Sequence, residues 1–155
     1  MNDGSNVLGR DLMALYRVTD GRHEDVDLET SSHASGGELL TDVVVISGID
    51  AAVQAVVHRI KTMRGELTDL GHADYGSRHH ELIGEPNSEN NRNLVKLYIL
   101  QALAEEPRIE TIHRVEVVHD RRRAPDRVDI VLDLSFIGRQ VPTNLVIPFS
   151  FGGTA

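Results

Sequence analysis

The sequence predicts an α+β fold in which two main helices pack against one face of an antiparallel or mixed sheet. Residues 49–63 and 88–104 carry apolar side chains at helical spacing, whereas residues 128–137 and 141–151 alternate apolar and polar side chains as half-buried strands do. At 155 residues the chain is interpreted as one domain with a single core. Its predicted parts are N-terminal strands (8–46), a helical part (48–107) and a C-terminal sheet (109–151).

The N-terminal part is predicted to consist mainly of strands. Residues 13–18 are typical of a strand, and Asp20-Gly21 after them indicates a turn, because glycine tolerates a positive φ angle. Residues 26–28 alternate with acidic side chains and indicate a return strand. Residues 29–37 are polar and rich in small side chains, which predicts a mobile insertion loop. Residues 39–46, rich in β-branched side chains, predict a further strand.

The first predicted helix opens at Gly48-Ile49-Asp50. The Asp50 carboxylate is expected to cap the free amide groups of the first turn, and Gly65 is expected to end the helix. Basic residues close to that end suit the negative end of the helix dipole. The apolar stripe of this helix is predicted to be Val53, Val56, Val57, Ile60 and Met63.

The second predicted helix follows a short helical turn at residues 77–83. Asn87 or Ser88 is expected to cap it, and Pro107 stops it, because a proline pushes the residue before it out of helical geometry. Apolar residues around much of this helix predict burial on more than one side.

The C-terminal sheet has the most regular pattern in the chain. Val115 and Val117 are predicted to face inward from the first of its three strands. Pro148 indicates an edge strand, because proline has no N–H group to donate to a neighbour. Such an edge is either exposed or paired with another chain. The inward faces of the last two strands are predicted to be Val128, Ile130, Leu132, Leu134 and Phe136, then Val141, Leu145, Ile147, Phe149 and Phe151.

Composition excludes several classes of function. The formal net charge of -8 argues against nucleic-acid binding, which requires a clustered basic surface. With no cysteine the chain has neither disulfides nor thiolate metal ligands. The longest apolar run, Val43 to Ile46, is far too short to span a bilayer. We therefore expect no membrane partner, and synthesis in the cytoplasm.

No metal site or cofactor is predicted. His72, Asp74, His79 and His80 resemble metal-ligand material, but adjacent histidines on a helix diverge by about 100°. A polar surface is the preferred interpretation. No glycine-rich phosphate loop or Ser/His/Asp grouping stands out.

Catalysis is also not predicted. Glycoside hydrolysis needs two carboxyl groups across a sugar cleft, for which Glu66, Asp74, Glu81 and Glu106 are the candidates. Such clefts usually carry aromatic platforms, and this chain has no Trp and few other aromatics.

The most distinctive short motif is Glu106-Pro107-Arg108. One interpretation is a helix stop with incidental charges. In the other, Pro107 holds the backbone while Arg108 presents its planar guanidinium to a carboxylate or carbonyl of another subunit. Arg64, Gly65 and Glu66 form a similar polar corner after the first helix.

These segments resemble the GPW-type baseplate wedge family of contractile phage tails and contractile injection systems. The resemblance lies in the order and spacing of short motifs and covers most of the chain beyond Val7. Residues 20–40 fit less well and are interpreted as an insertion. The motifs are Leu8-Gly9-Arg10, Gly48-Ile49-Asp50, Lys61-Thr62-Met63-Arg64-Gly65-Glu66, Asp74-Tyr75-Gly76, Glu106-Pro107-Arg108-Ile109 and Val115-Glu116-Val117.

The resemblance implies a structural, non-enzymatic component of a baseplate. Glu106-Pro107-Arg108 would dock on the core bundle of larger wedge subunits, near tail tube and hub proteins, in six copies around a ring. The C-terminal sheet resembles the handshake domain of the sheath protein and would accept strands from the first sheath ring, as in β-augmentation. The strand acceptor would consist of Ile130, Leu132, Leu134, Leu145, Ile147 and Phe149.

Two alternative functions stay open. Some relatives have carried a lysozyme label, for which Glu66 and Glu106 would be the catalytic candidates. The same family fold also includes a regulatory binding protein, a stress-response anti-adapter. A peptidoglycan release assay tests the first alternative, and neighbouring sheath, tube and spike genes would argue against the second.

Overall fold

The computed structural model of the protein describes residues 5–19, 23–35, 38–119, 125–139 and 141–152. Two main helices and antiparallel strand pairs confirm the predicted α+β class. Two 3₁₀ helices, Thr68–Leu70 and Arg78–Leu82, precede the last α-helix. The remaining elements are α1 (Ser5–Leu8), β1 (Arg10–Leu12), β2 (Ala14–Thr19), β3 (His23–Leu28), β4 (Thr30–Ser35), β5 (Glu38–Val43), β6 (Val45–Ser47), α2 (Ile49–Lys61), α3 (Glu89–Ala104), β7 (Ile109–Val118), β8 (Arg127–Phe136) and β9 (Thr143–Ser150).

The chain divides into two compact units, residues 1–54 and 55–153, and the division falls inside α2. The predicted single domain stays a prediction, because one helix belongs to both units. Within the described residues, no helix combines the length and apolarity that crossing a bilayer requires.

The described residues of the first unit form three two-stranded antiparallel ribbons, β1–β6, β2–β3 and β4–β5. The chain passes between ribbons at Met13, Glu29 and Val44, and these three residues close a ring of backbone hydrogen bonds. Met13 N–H donates to Val44 O at 2.8 Å, Glu29 N–H to Met13 O at 2.8 Å and Val44 N–H to Glu29 O at 2.9 Å. The backbone groups that each strand break would otherwise leave unpaired therefore bond to one another.

Gln54 of α2 secures the start of this unit. Its Oε1 accepts from Ala14 N–H at 2.8 Å, and its Nε2 donates to Leu12 O at 2.7 Å and to Asp11 Oδ2 at 3.0 Å. A buried amide satisfied in this way fixes the backbone between β1 and β2.

The mobile loop predicted at residues 29–37 is wrong for most of its length, because Thr30–Ser35 is strand β4. It pairs with β5, from Thr30 opposite Val43 to Ser35 opposite Glu38. Main-chain hydrogen bonds form this ribbon without requiring apolar side chains, so its polar composition concealed it. The predicted strand at 39–46 is interrupted at Val44 by the junction. The predicted turn at Asp20-Gly21 lies outside the described residues.

Helix α2 buries part of the predicted stripe, Val56 and Ile60, together with residues that were not predicted. It begins at Ile49 and ends at Lys61, so Asp50 lies in its first turn rather than at the cap, and Gly65 lies beyond its end. Asp50 still suits the positive end of the helix dipole. Val53 and Val57 are only partly buried and Met63 is exposed. The buried residues are Ala51, Ala52, Gln54, Ala55, Val56, Arg59 and Ile60.

Helix α3 starts as predicted. The Ser88 side chain caps it by accepting from Asn91 N–H at 3.1 Å. Burial on more than one side is wrong for the described chain, because Leu97 is exposed and one stripe alone is buried. That stripe consists of Val95, Ile99, Ala102 and Leu103.

In the described residues the C-terminal sheet is three-stranded and antiparallel, with β8 between β7 and β9. All five predicted core residues of β8 are at most 2% exposed, and Val115 of β7 is buried with them. On β9, Ile147 and Phe149 are buried and Leu145 is partly buried. Val141 corrects the prediction, because it lies before β9 and is exposed. The regular alternation of β8 therefore forms the centre of the sheet's packed face.

Candidate functional site

The candidate site is the charged bend after α3, where Glu106-Pro107-Arg108 leads into β7. Arg59 of α2 donates through Nε to Glu106 Oε2 at 3.2 Å, and Arg108 donates through Nε to Glu106 Oε1 at 2.7 Å. The Glu106 side chain is 1% exposed, so each of its oxygens is bound by a guanidinium inside the protein. Glu106 is thus an internal counter-ion, and its predicted part in docking stays a prediction.

Arg59, which binds Glu106 in the bend, also contacts Tyr75 and Glu105. Its guanidinium carbon lies 4.5 Å from the centre of the Tyr75 ring, and its NH1 lies 3.8 Å from Glu105 Oε2. Its side chain is 10% exposed. A buried cation needs such partners, because removing a charge from water costs several kcal/mol.

Arg108 retains a free portion of its guanidinium. Only Nε and the backbone N–H of Arg108 bond to Glu106, and among the described residues its NH1 and NH2 have no partner. The side chain is 31% exposed and Pro107 beside it is exposed. The bend therefore presents a positioned arginine whose terminal nitrogens are available to an acceptor.

The polar corner after α2 joins the same network. Arg64 donates through NH2 to Asp74 Oδ1 at 2.8 Å and through NH1 to Glu105 Oε1 at 3.2 Å. The hydrogen bond to Asp74, followed by the one to Glu105, raises the pKa of Arg64. Glu66 accepts from the backbone N–H of Met63 at 3.0 Å, which closes the corner. The structure thus brings the two predicted polar segments together through Glu105.

Gly76 makes this corner possible. It has φ +104°, and a Cβ there would lie 2.6 Å from Thr62 O and 2.9 Å from Met63 O. The chain crosses itself here through Ser77 N–H to Thr62 O at 2.9 Å and Arg64 N–H to Ser77 O at 3.1 Å. Only glycine allows two backbone segments this close at a positive φ.

An open depression of about 360 Å³ lies beside the corner. Its lining is polar and includes Asp74 and Glu105, which are already bound to Arg64. It is lined by Arg59, Gly71, His72, Ala73, Asp74, Tyr75 and Glu105.

His79 and His80 are held by contacts within the protein. His79 is buried, its Nδ1 lies 2.9 Å from Ser77 Oγ and its ring lies edge-on to Phe149 at 4.9 Å. His80 Nε2 lies 3.0 Å from Ile60 O. In the part of the chain that the structure describes, no three His, Asp or Glu side chains are grouped as metal ligands. Burial, and then the neighbouring His80, lowers the pKa of His79 to about 3.

The predicted strand acceptor is divided between core and edge. Ile130, Leu132 and Leu134 of β8 are fully buried, and Ile147 and Phe149 of β9 nearly so. An incoming strand would therefore not touch most of these side chains. Within the described residues β9 has β8 as its single neighbour, which confirms that Pro148 lies on an edge strand. A partner strand would bond to the β9 backbone instead.

Sequence reasoning missed three residues that hold the site. Arg59 was counted only among the basic residues near the end of the first helix, and Tyr75 and Gly76 appeared only within a motif. The proximity of two basic residues to the C-terminal end of α2 gave no indication of which one is buried, because the partner of Arg59 is 47 residues away.

The protein belongs to the α+β class, because its helices and antiparallel sheets occupy separate parts of the chain. A similar fold occurs in the crystal structure of a Geobacter sulfurreducens protein that is provisionally described as a tail lysozyme. The TM-score is 0.56 and the sequences are 22% identical, over 66% of this chain and 89% of that chain. No protein-family model and no curated protein matches the sequence. The two chains share a fold.

Proposed function

We propose that this protein is a structural component of a phage-tail-like contractile machine, in which it acts as a baseplate wedge. It would join the core bundle of larger wedge subunits to the first sheath ring, in several copies around the tube. The observation that carries the proposal is the fold it shares with a protein described by its place in a tail. The order of the short motifs in the sequence supports the same reading.

The charged bend supports a docking role through Arg108. Glu106 and Arg59 form a buried ion pair within the protein, which holds the bend in place. Arg108 is anchored by one nitrogen and keeps two for a carboxylate or main-chain carbonyl of a neighbour. Anchoring reduces the conformational entropy that a free arginine would lose on binding.

The test replaces Arg108 with Ala in the tail gene cluster of the source and measures sheathed particles by negative-stain microscopy. The matched control is Arg78→Ala, which also removes an exposed, carboxylate-paired arginine. We expect sheathed particles with the control and unanchored sheath or bare tubes with Arg108→Ala. Normal sheathed particles from both variants would refute docking through Arg108.

Peptidoglycan hydrolysis is the second candidate, because the structural neighbour is described as a lysozyme. We propose that this chain has no such activity. Glu106 is enclosed by Arg59 and Arg108, and Glu66 Oε2 accepts from the Met63 amide, so the two candidate carboxylates are engaged by groups of the protein itself. Release of labelled peptidoglycan fragments by purified protein, absent from a Glu66→Gln variant, would overturn this proposal.

A further inference from the structure

The ring of hydrogen bonds between Met13, Glu29 and Val44 is bordered by one residue pair from each ribbon of the first unit. Side chains two residues apart in an extended chain point to the same side, and so do residues that stand opposite each other in a ribbon. Each ring residue lies between two members of these pairs, so all six members face one side of the ring, which we call the junction face. The pairs are Leu12 with Val45, Ala14 with Leu28 and Thr30 with Val43.

The junction face is apolar and exposed. Five of its six side chains are apolar, and Leu12, Leu28 and Val45 are 45%, 45% and 52% exposed. Ala14 and Val43 are partly buried. Single exposed apolar side chains are ordinary on a protein surface, whereas several around one junction form a patch of the kind that marks a site of interaction.

The first unit also carries almost all of the net charge of the chain. Residues 1–54 contain ten of the 24 acidic residues and three of the 16 basic ones, so they account for -7 of the formal net charge of -8. The rest of the chain is nearly neutral, because its 14 acidic residues are balanced by 13 basic ones. Three arginines cannot neutralise ten carboxylates, so the electrostatic potential around the first unit is negative.

These two observations define the chemistry of an occupant. The apolar side chains of the junction face favour an apolar partner, and the negative potential favours a cationic one. A second copy of the chain would bring the same negative unit against the first, and an anionic lipid surface would be repelled in the same way. A protein segment with an apolar face bordered by lysine or arginine side chains satisfies both requirements.

We propose that the junction face is a docking site for an amphipathic, basic segment of another protein. The inference goes beyond the proposed function, because docking through Arg108 uses the second unit and neither interaction depends on the other.

The test measures binding of a labelled probe to the full-length protein by fluorescence anisotropy. The probe is a synthetic amphipathic peptide of leucine and lysine, and its control has glutamate in place of each lysine. We expect the lysine peptide to bind and the glutamate peptide not to bind. Raising the salt concentration from about 0.05 M to about 0.5 M should weaken binding by about tenfold, because the charges are then screened.

Paired substitutions locate the binding site. Leu12→Thr with Val45→Thr removes apolar contacts and keeps side chains that suit strands, and it should weaken binding of the lysine peptide by about tenfold. The matched control is Val118→Thr with Val146→Thr, at strand positions of the second unit that are 46% and 56% exposed, and it should change binding by less than about twofold. In the wild-type protein, the peptide should shift the amide NMR signals of Leu12 and Val45 and leave those of the two control positions unchanged.

Each other outcome would overturn the proposal. Failure of the lysine peptide to bind, or equal binding of both peptides, would refute the predicted chemistry of the partner. Equal losses from the two double variants, or NMR shifts confined to the second unit, would refute its location. Binding to phosphatidylcholine vesicles, or dimerisation in sedimentation, that the Leu12→Thr, Val45→Thr variant abolishes would assign the face to a membrane or to a second copy. Arg108→Ala should bind the peptide as the wild type does, so a loss of sheathed particles from that variant concerns the proposed function alone.

Discussion

Replacing Glu106 with Gln tests whether the buried ion pair between Arg59 and Glu106 stabilises the charged bend. The substitution keeps the volume of the side chain and removes its charge, which leaves Arg59 buried with its main partner neutralised. Removing one member of a buried ion pair costs about 3–5 kcal/mol. We expect about 3 kcal/mol, the lower end, because Glu105 lies 3.8 Å from Arg59 and still compensates part of its charge.

Urea unfolding of the purified variant measures this cost. With a slope of about 2 kcal/mol per molar urea, the midpoint should fall by about 1.5 M. The control is Glu81→Gln, which breaks the exposed pair with Arg78 and should leave the midpoint nearly unchanged. Adding Arg59→Met to Glu106→Gln should restore part of the loss, because the buried charge is then gone. A Glu106→Gln midpoint equal to that of the control would refute internal neutralisation.

Three further perturbations test the fold around the site. Gly76→Ala should destabilise the protein by more than about 2 kcal/mol, because its Cβ would meet Thr62 O, whereas Gly71→Ala, with φ +83° and open space, should cost about 1 kcal/mol in chemical denaturation. Ser88→Ala should lower the free energy of unfolding by about 1 kcal/mol through loss of the α3 cap, read from the same urea curves. Because burial lowers the pKa of His79 to about 3, the unfolded chain binds a proton that the folded protein rejects between pH 6.5 and about 3. The stability due to neutral His79 is complete above pH 6.5. As the pH is lowered below 6.5, this stability decreases by up to about 1.4 kcal/mol per pH unit, so His79→Asn should flatten the pH profile of thermal unfolding. Equal losses for the two glycine variants, an unchanged Ser88→Ala midpoint or an unchanged pH slope would contradict the respective prediction.

The sequence was most informative where burial follows local alternation. Each apolar residue predicted to face inward from β8 does so. In a strand with one packed face, every second side chain is apolar and faces the core, so the sequence alone gives the orientation. The Ser88 cap and the position of Pro148 on an edge were also readable, since each depends on a residue's own hydrogen-bonding capacity.

The sequence was least informative where backbone pairing or distant charges decide. Strand β4 is made of polar residues that pair with β5 through the main chain, and hydropathy carries no sign of such pairing. The burial of Arg59 depends on Glu106, which lies far along the chain. Neither residue alone indicates whether its charge is neutralised inside the protein or is available to a partner. The sequence therefore identified the Glu106-Pro107-Arg108 motif but not which of its charges is buried.

A cryo-electron microscopy map of the assembled tail particle from the source of this sequence tests the central claim most directly. The account predicts this chain at the baseplate, with the guanidinium of Arg108 against an oxygen atom of a neighbouring subunit. A particle in which Arg108 faces solvent, or from which the chain is missing, would contradict it.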